Sequence, residues 1–406
     1  MKNESPEALG ELSSTTRQRA RQKLMALGLT VVTAASLAVA RTSAETGRAS
    51  SYQAGIAASV KGRTIRLNGE DTLLTMAWRQ CPADVDENLE IGINAFVGIS
   101  APCSQTRLAN TVDSRAYLIP EYPPQVEEQP KTIGYHLEDE PDGHRSLPDA
   151  QPKTRRVSET GRLILQTLTA HYAAEQAKLA ALDSNNKTVI IDRKEYLKYI
   201  ANVDMVGTDI YPLSKFCRDG DINFESVYHY QRELNQLADD KPTFQWVEVN
   251  SISGECGNDP VSPRQMRAEV WMSLAGGATS VGYFTHSWTS GIWDRFDVSP
   301  QMQTAVASVN KEAQALSPIL LAPQLAYASG PKDPIKVGGR LYRGSHYLIA
   351  VNSSDNRVSW ERRLTSFDLR NRKIGIYGED RWLRAKNGII NDQLDPYEVR
   401  IYHWKP

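Results

Sequence analysis

The sequence predicts an α/β protein, a (β/α)₈ TIM barrel followed by a small antiparallel β-sandwich. Between residues 71 and about 318, eight strand-like segments alternate with helical patterns, over roughly the 250 residues usual for such a barrel. Beyond residue 321 only short alternating runs follow, as in a sandwich. The first strand lacks a Gly-rich turn, which disfavours the alternative of an open doubly wound sheet.

In the chain of 406 residues, residues 1–44 are predicted to be a signal peptide or a membrane-targeting segment. A basic cluster at 17–23 precedes an apolar run at 24–40, and small residues near positions 38–44 suit signal-peptidase cleavage. An uncleaved membrane anchor is the alternative, although the apolar run is short for a span. We therefore expect a secreted or otherwise extracytoplasmic protein. Residues 45–70 form a lead-in, in which Asn68-Gly69 predicts the tight turn of a hairpin.

The barrel is assigned to residues 71–321 and the sandwich to residues 322–406. Barrel strands are predicted at 73–79, 94–100, 116–122, 133–138, 188–192, 205–211, 243–248 and 279–286. Helices are predicted at 105–110, 159–182, 224–238, 263–274 and 301–316. Sandwich strands are predicted at 324–329, 335–337, 340–342, 347–351, 358–363, 374–376 and 398–403. The last helix runs into the sandwich without a flexible linker, which predicts a docked module.

The four cysteines follow strands that are neighbours in the predicted barrel. Cys81 and Cys103 follow the first and second strands, and Cys217 and Cys256 follow the sixth and seventh. Loops after consecutive strands are adjacent, so the expected disulfides are Cys81–Cys103 and Cys217–Cys256, with Cα atoms within about 7 Å. A four-cysteine metal site lacks the usual Cys-x-x-Cys spacing, and free thiols would require a reducing compartment.

Composition restricts the partners. The formal net charge is −1, without a basic stripe, so we expect neither nucleic acid nor a stable membrane partner beyond the possible anchor. The seven histidines form no His-x-His or His-Glu-x-x-His motif, which disfavours a metal-dependent hydrolase. The sequence predicts no metal and no cofactor, and it leaves the oligomeric state open.

Two predicted strands end in carboxylates. In the segment from Tyr135 to Pro141, period-two geometry puts Glu138 and Glu140 on one face, and Glu248 ends another strand. Such a run is often only a solvated loop. At the C-terminal face of a barrel, however, two carboxyl groups are what glycosidic bond cleavage requires, one as proton donor and one as nucleophile or base.

The chain resembles the clan A retaining glycoside hydrolases, which include cellulases, β-mannanases and β-galactosidases. The resemblance lies in Asp139-Glu140-Pro141, where the clan usually has Asn-Glu-Pro, and in the strand end at Glu248. It extends to the segments 204–212 and 277–288, and it does not resolve a family. It implies a carbohydrate substrate.

The resemblance also implies roles for individual residues. Glu140 would be the general acid/base, Glu248 the nucleophile, Tyr211 a hydrogen-bond donor to the nucleophile, and Trp288 a platform for a sugar ring. Asp139 departs from the clan's Asn and, as a second anion, would raise the pKa of its neighbour. Glu138 remains the competing acid.

Other side chains are interpreted from the residues themselves. Asp209 could hold a polar network or a sugar hydroxyl, and Arg79 could orient a carboxylate or form a surface salt bridge. His286 and His136 are interpreted as hydrogen-bonded wall residues. Trp288 and Trp293 could equally be packing residues.

Two functions of different classes therefore compete. One is a secreted glycoside hydrolase with a two-glutamate retaining mechanism, whose carboxyl groups would lie about 5–5.5 Å apart. The other is a catalytically inactive glycan-binding TIM barrel. The presence of both glutamates and of Tyr211 favours the enzyme.

Overall fold

A computed structural model describes most of the chain from Gly55 to Lys405. The described residues are 55–98, 103–122, 129–143, 161–169, 172, 179–182, 188–191, 193–217, 222–252, 254, 256, 260–288, 293–363 and 372–405. The predicted targeting segment lies outside them. Among these residues, no helix is long and apolar enough to cross a membrane.

The lead-in is a three-stranded antiparallel sheet made of β1 (Ala58–Lys61), β2 (Thr64–Leu67) and β3 (Glu70–Thr72). Asn68 and Gly69 connect the last two strands with φ angles of 50° and 85°. Positive φ at both central residues is what a type I′ hairpin turn requires, and Asn-Gly tolerates it at little cost. The hairpin prediction is confirmed.

The eight-stranded sheet is a parallel barrel. Its strands are β4 (Thr75–Trp78), β5 (Ala95–Val97), β6 (Tyr117–Ile119), β7 (Gly134–His136), β8 (Leu163–Leu168), β11 (Met205–Asp209), β12 (Thr243–Glu248) and β13 (Ser280–Phe284). The order is β6-β5-β4-β13-β12-β11-β8-β7. Parallel bridges from Leu118 to Thr132 and from Glu121 to His136 join the two outer strands and close the barrel. The predicted fold class is confirmed.

The fifth barrel strand differs from the prediction. Leu163–Leu168 takes this position, where a helix over 159–182 was expected, and all six of its residues are buried. The predicted strand at 188–192 is instead β10 (Thr188–Ile191), which pairs antiparallel with β9 (Leu179–Leu182) outside the barrel. A barrel strand is covered on both faces, so its sequence lacks polar alternation, and leucines also favour helices. The pattern was therefore ambiguous.

Helices cover the outside of the barrel. They are α1 (Val85–Glu90), α2 (Gln105–Val112), α3 (Arg193–Ala201), α4 (Ser226–Leu237), α5 (Pro263–Gly276), α6 (Pro300–Ala315) and the single turn α7 (Ser317–Leu320). Helix α5 begins at a capping box, in which Ser262 and Gln265 satisfy each other's backbone N–H groups, and ends at Gly277 with φ 115°. It is buried along most of its length because the sandwich covers its outer side.

The C-terminal part is an antiparallel β-sandwich. One sheet has the order β14 (Gln324–Leu325), β15 (Ile335–Tyr342), β16 (Ser345–Asn352), β21 (Val399–Trp404), β18 (Lys373–Ile376) and β19 (Trp382–Arg384). The second sheet pairs β17 (Val358–Arg363) with β20 (Ile389–Leu394). Trp360, Ile374, Ile390 and Tyr402 belong to the core between the two sheets.

The sandwich packs directly on the barrel, and residues 53–406 form one compact unit. Ile349, Val351 and Ile401 share a hydrophobic core with α5. The fully buried Arg340 reaches across the contact, and its guanidinium donates to the carbonyls of Leu320 at 2.9 Å and Leu274 at 2.7 Å. The buried side chain thus satisfies carbonyls at the ends of two helices.

Both predicted disulfides are confirmed. The Cα atoms are 5.6 Å apart in Cys81–Cys103 and 5.8 Å apart in Cys217–Cys256. Each bridge ties together the loops that follow two strands on the C-terminal side of the barrel. The second bridge fixes the loop after β11, which forms part of the wall described next.

Candidate active site

A cavity of about 480 Å³ opens at the C-terminal ends of the barrel strands. Barrel enzymes carry their active sites at this end. The cavity combines acidic side chains with a wall of aromatic rings. It is lined by Trp78, Arg79, Asp139, Glu140, Thr167, Asp209, Tyr211, Lys215, Trp246, Ile252, Phe284, His286, Trp288 and Trp293.

Three carboxyl groups meet in this cavity. Asp139 and Glu140 come from the loop after β7, and Asp209 ends β11. The carboxyl of Asp209 is hydrogen-bonded to that of Glu140, and burial together with this bond raises the pKa of Asp209 well above its usual range. The other oxygen of Asp209, Oδ1, is buried without a hydrogen-bond partner. A hydrogen bond between two carboxyl groups requires that one of them carries a proton, because an ionised carboxylate can only accept.

Asp139 is the third acid. Burial, and then the neighbouring Glu140, raise the pKa of Asp139 to about 7. Asp139 can therefore hold its proton at neutral pH and donate a hydrogen bond that an ionised carboxylate cannot donate. The sequence analysis expected a raised pKa for Glu140, and that expectation stays a prediction.

The loop that carries Glu140 is held in place by Asp142. Glu140 has a φ angle of 45°, a conformation that non-glycine residues adopt only where the surroundings impose it. Asp142 is fully buried and accepts hydrogen bonds from the backbone N–H of Thr169 at 3.0 Å, from its hydroxyl at 2.6 Å, and from Tyr196 at 2.9 Å. These bonds tie the loop to β8 and α3. The sequence analysis did not single out Asp142, although a third acid after Glu-Pro was visible.

An aromatic network forms the floor. The imidazole of His136 donates from Nδ1 to the carbonyl of Leu137 at 2.7 Å, and its Nε2 accepts from the Thr167 hydroxyl at 2.9 Å. Thr167 in turn accepts from the indole N–H of Trp246 at 2.9 Å. Burial lowers the pKa of His136 to about 3, so the ring is neutral. His136 is a wall residue, as expected.

Glycine makes room for the indole of Trp246. A Cβ on Gly282, in the adjacent strand β13, would lie 2.2 Å from this ring. Trp78 packs edge-on against both Trp246 and His136. The floor is therefore a close-packed surface with its polar atoms satisfied.

Another part of the lining presents a pair of stacked indoles. Trp288 and Trp293 lie 6.0 Å apart between centroids, with 21° between their planes, and are 43% and 41% exposed. His286 accepts the indole N–H of Trp293 at 3.2 Å through Nδ1 and contacts the carbonyl of Trp78 at 3.0 Å through Nε2. Burial lowers the pKa of His286 to about 4, so this ring also is neutral. The histidine positions Trp293.

Arg79 and Tyr211 complete the lining. The Arg79 guanidinium binds Glu121, with both Nε and Nη2 at 2.7 Å from the same oxygen, and lies 5.0 Å from the ring centroid of Trp78. Arg79 thus orients a carboxylate, but not one of the three acids. Burial and then the charge of Asp209 raise the pKa of Tyr211 far above its usual value, so the phenol stays protonated beside the acids.

Glu248 does not line the cavity. It is fully buried, and its carboxyl accepts the backbone N–H of Leu213 and of Ser214, each at 2.9 Å, and the Ser214 hydroxyl. Glu269 of α5 lies beside it without a well-formed hydrogen bond, and burial followed by the charge of Glu248 raises the pKa of Glu269. The Glu248 carboxyl thus binds the loop after β11, whereas the side chain of Trp246 lines the cavity.

The remaining candidate, Glu138, is exposed and also lies outside the lining. Its backbone carbonyl accepts the side-chain amide of Gln166 at 3.3 Å. The structure thus brings together Glu140, Asp139, Asp209, Tyr211, His286, Trp288 and Arg79, but not Glu138 or Glu248. Lys215, Thr167 and Trp246 were not foreseen as lining residues. Of these three, only Lys215 could have been placed from the sequence, because it lies between Tyr211-Pro212 and Cys217, in the loop predicted after a barrel strand.

Within the described residues, no group of three or more histidine, cysteine or acidic side chains is arranged to hold a metal ion. The ionisable groups among the described lining residues include three carboxyl groups, one phenol and two cations.

Comparisons with solved structures identify the fold. An α-amylase from Geobacillus thermoleovorans in complex with acarbose matches with a TM-score of 0.51 and 10% identity, over 82% of this chain and 98% of that one. A putative α-galactosidase from Bacteroides fragilis matches with a TM-score of 0.50 and 10% identity, over 82% and 79% of the chains. AmyP in complex with maltose matches with a TM-score of 0.50 and 9% identity, over 82% and 97%.

At this level of identity the likeness establishes the barrel fold alone. No protein-family model matches the sequence, and no curated protein does.

Proposed function

We propose that this protein is a glycoside hydrolase that uses Glu140 and Asp209 as its catalytic pair. The observation that carries the proposal is the hydrogen bond between these two carboxyl groups, inside a cavity walled by indoles. Glycosidic bond cleavage needs one carboxylic acid and one carboxylate, and a pair that shares one proton supplies both at neutral pH.

The roles follow from where the proton sits. Asp209 is the more deeply buried of the two, and its raised pKa keeps it protonated, so Asp209 is assigned as the acid that protonates the leaving oxygen. Glu140 is then the carboxylate. The hydrogen-bonded groups are closer than the about 5–5.5 Å of a retaining pair, so a sugar that enters between them would have to break this bond and separate them to that distance. With the groups at that spacing, Glu140 would attack the sugar itself in a retaining mechanism. Asp209 would then activate water in the second step.

The cavity walls suit a sugar ring. The stacked Trp288 and Trp293 offer flat apolar faces of the kind that pack against sugar C–H groups, while Asp139 and Tyr211 can bond hydroxyls. Acarbose and maltose are present in two of the compared barrel structures. We infer a carbohydrate substrate for this chain as well.

The sequence-derived alternative keeps Glu248 as the nucleophile. It would require the Glu248 carboxyl to leave the N–H groups of Leu213 and Ser214 and turn into the cavity. We propose instead that Glu248 holds the loop that carries Tyr211. Export to an oxidising compartment is part of the proposal, and the two disulfides support it.

The test begins with a panel of chromogenic glycosides hydrolysed by the full chain. With a confirmed substrate, Glu140→Gln and Asp209→Asn should each reduce kcat by roughly 10²–10⁴-fold or more, whereas the exposed Glu138→Gln should retain activity. A 2-deoxy-2-fluoro glycoside should trap a covalent intermediate, and peptide mass analysis should find the sugar on Glu140.

Each contrary result has a distinct meaning. A label on Glu248 would overturn the proposed pair and restore the sequence-derived one. Inversion of the anomeric configuration, seen by NMR of the first product, would remove the nucleophile role. Binding of glycans without any turnover would identify an inactive glycan-binding barrel.

A further inference from the structure

Lys215 lines the cavity in a loop that is fixed on both sides of it. On one side the carboxyl of Glu248 accepts the backbone N–H groups of Leu213 and Ser214. On the other side Cys217 is bonded to Cys256. The backbone is therefore held both before Lys215, at Leu213 and Ser214, and after it, at Cys217. The side chain of Lys215 lines the cavity.

Among the described residues, none provides an acceptor for the ammonium group of Lys215. Among the residues that the structure describes, it makes no hydrogen bond or ion pair, and its one recorded contact is with the ring of Phe216, 5.3 Å from the centroid. The other cation of the lining, Arg79, is neutralised by Glu121 at 2.7 Å. Lys215 is thus the uncompensated positive charge among the described lining residues.

The acids of the cavity do not compensate it either. Asp139 and Asp209 feel the charge of Lys215, but neither forms an ion pair with it. Both acids hold their protons more tightly than usual, chiefly because of burial. An anionic ligand would therefore meet the free ammonium group without facing three carboxylates.

We propose that Lys215 binds an anionic substituent of the sugar, so that the site selects acidic glycans. The substituent is a carboxylate, as in a uronic acid, or a sulfate ester, since both present oxygen atoms to an ammonium donor. The inference rests on the proposed function for the location of the sugar. It adds a residue that determines specificity, and it names the substrate class.

Binding to the full chain tests this without any turnover. Calorimetric or NMR titrations with glucuronate, galacturonate and glucose 6-sulfate are compared with those of glucose and galactose. We expect at least one acidic sugar to bind about tenfold or more tightly than its neutral counterpart, with the preference weakening as salt rises. The uronate and sulfate arms identify which anion is recognised.

Variants assign the effect to Lys215. Lys215→Gln should abolish the preference, Lys215→Arg should retain part of it because the charge remains, and Lys311→Gln, an exposed change on α6, should leave it intact. If acidic and neutral sugars bind alike, or if the preference survives in Lys215→Gln, the inference is overturned. Acidic sugars bound through Lys215 by a chain that hydrolyses nothing would uphold it while the proposed function failed.

Discussion

At the scale of single residues, the site is dominated by carboxyl groups that the fold holds away from water. Asp209 and Asp139 both have raised pKa values, chiefly because of burial. Burying an ionisable group costs stability, and such costs are typical of active sites, where the altered proton affinity is useful. Because its pKa is raised, a substitution of Asp139 should change how the stability of the protein depends on pH.

We expect Asp139→Asn to stabilise the protein near neutral pH. Below pH 4 both the folded and unfolded chains keep the Asp139 proton. Between pH 4 and 7 the unfolded chain loses the proton and the folded chain retains it, so the free energy of unfolding falls as pH rises through this window. The variant should gain about 1–3 kcal/mol at pH 7, less than a full conversion because the side chain keeps some exposure.

Urea unfolding at pH 4 and pH 7 measures this difference. The two proteins should be nearly equal in stability at pH 4, which provides the internal control. A variant equally or less stable at pH 7 would show that the Asp139 carboxyl is not penalised by burial.

A second residue-scale prediction concerns the indole wall. Trp288→Ala should raise KM for a confirmed glycoside substrate by roughly 2- to 12-fold, because it removes one of the stacked rings that a sugar would contact. Trp382→Ala is the matched control, since Trp382 is similarly exposed at 48% but lies in β19 of the sandwich. Equal effects of the two changes would contradict a sugar platform at Trp288.

At the scale of elements, strand ends decide which side chains reach the cavity. Glu140 lies in the loop after β7, and Asp209 is the last residue of β11. Asp142 fixes the loop after β7 to the end of β8. Glu248 ends β12 in the same way, yet its carboxyl binds the neighbouring loop. A position at a strand end therefore does not by itself bring a side chain into the cavity.

The contact of β15 with α5 is the element-scale feature most open to test. Gly338 lies against the helix so closely that a Cβ there would be 2.3 Å from the carbonyl oxygen of Ala275. Gly338→Ala should therefore destabilise the protein by about 1–3 kcal/mol, because backbone would have to move. Gly330→Ala is the control, since the nearest atom to its Cβ would be a side-chain oxygen at 3.4 Å.

Thermal or urea unfolding measures both variants. Unchanged stability in Gly338→Ala would mean that the sandwich can shift on α5 without cost, and that the docking is loose.

At the scale of the whole molecule, barrel and sandwich belong to one compact unit, and we expect them to fold together. Their shared core is accompanied by an ion pair, in which the fully buried ammonium group of Lys336 lies 2.6 Å from the partly exposed carboxylate of Glu225. Tyr228 adds a hydrogen bond at 2.7 Å to the carbonyl of Val337. Polar groups buried in this contact would lose their partners if the modules separated.

Truncation after Pro318 should consequently give insoluble or markedly less stable protein, because it exposes the apolar outer side of α5 and leaves Glu225 unpaired. Solubility after expression and the unfolding midpoint are the measurements. A soluble and fully active barrel would show that the sandwich is an independent appendage.

The sequence by itself determined the fold class, the positions of seven of the eight barrel strands, the disulfide partners and the placement of Glu140 at a strand end. Each of these depends on local periodicity or on the order of elements along the chain. Only the tertiary structure decided that Leu163–Leu168 is the fifth strand and that Asp209 faces Glu140. It also decided that Glu248 turns to Leu213 and Ser214. The orientation of a buried carboxyl group depends on which hydrogen-bond donors the fold brings next to it. Those donors come from other parts of the chain, so the local sequence around the carboxyl group does not reveal them.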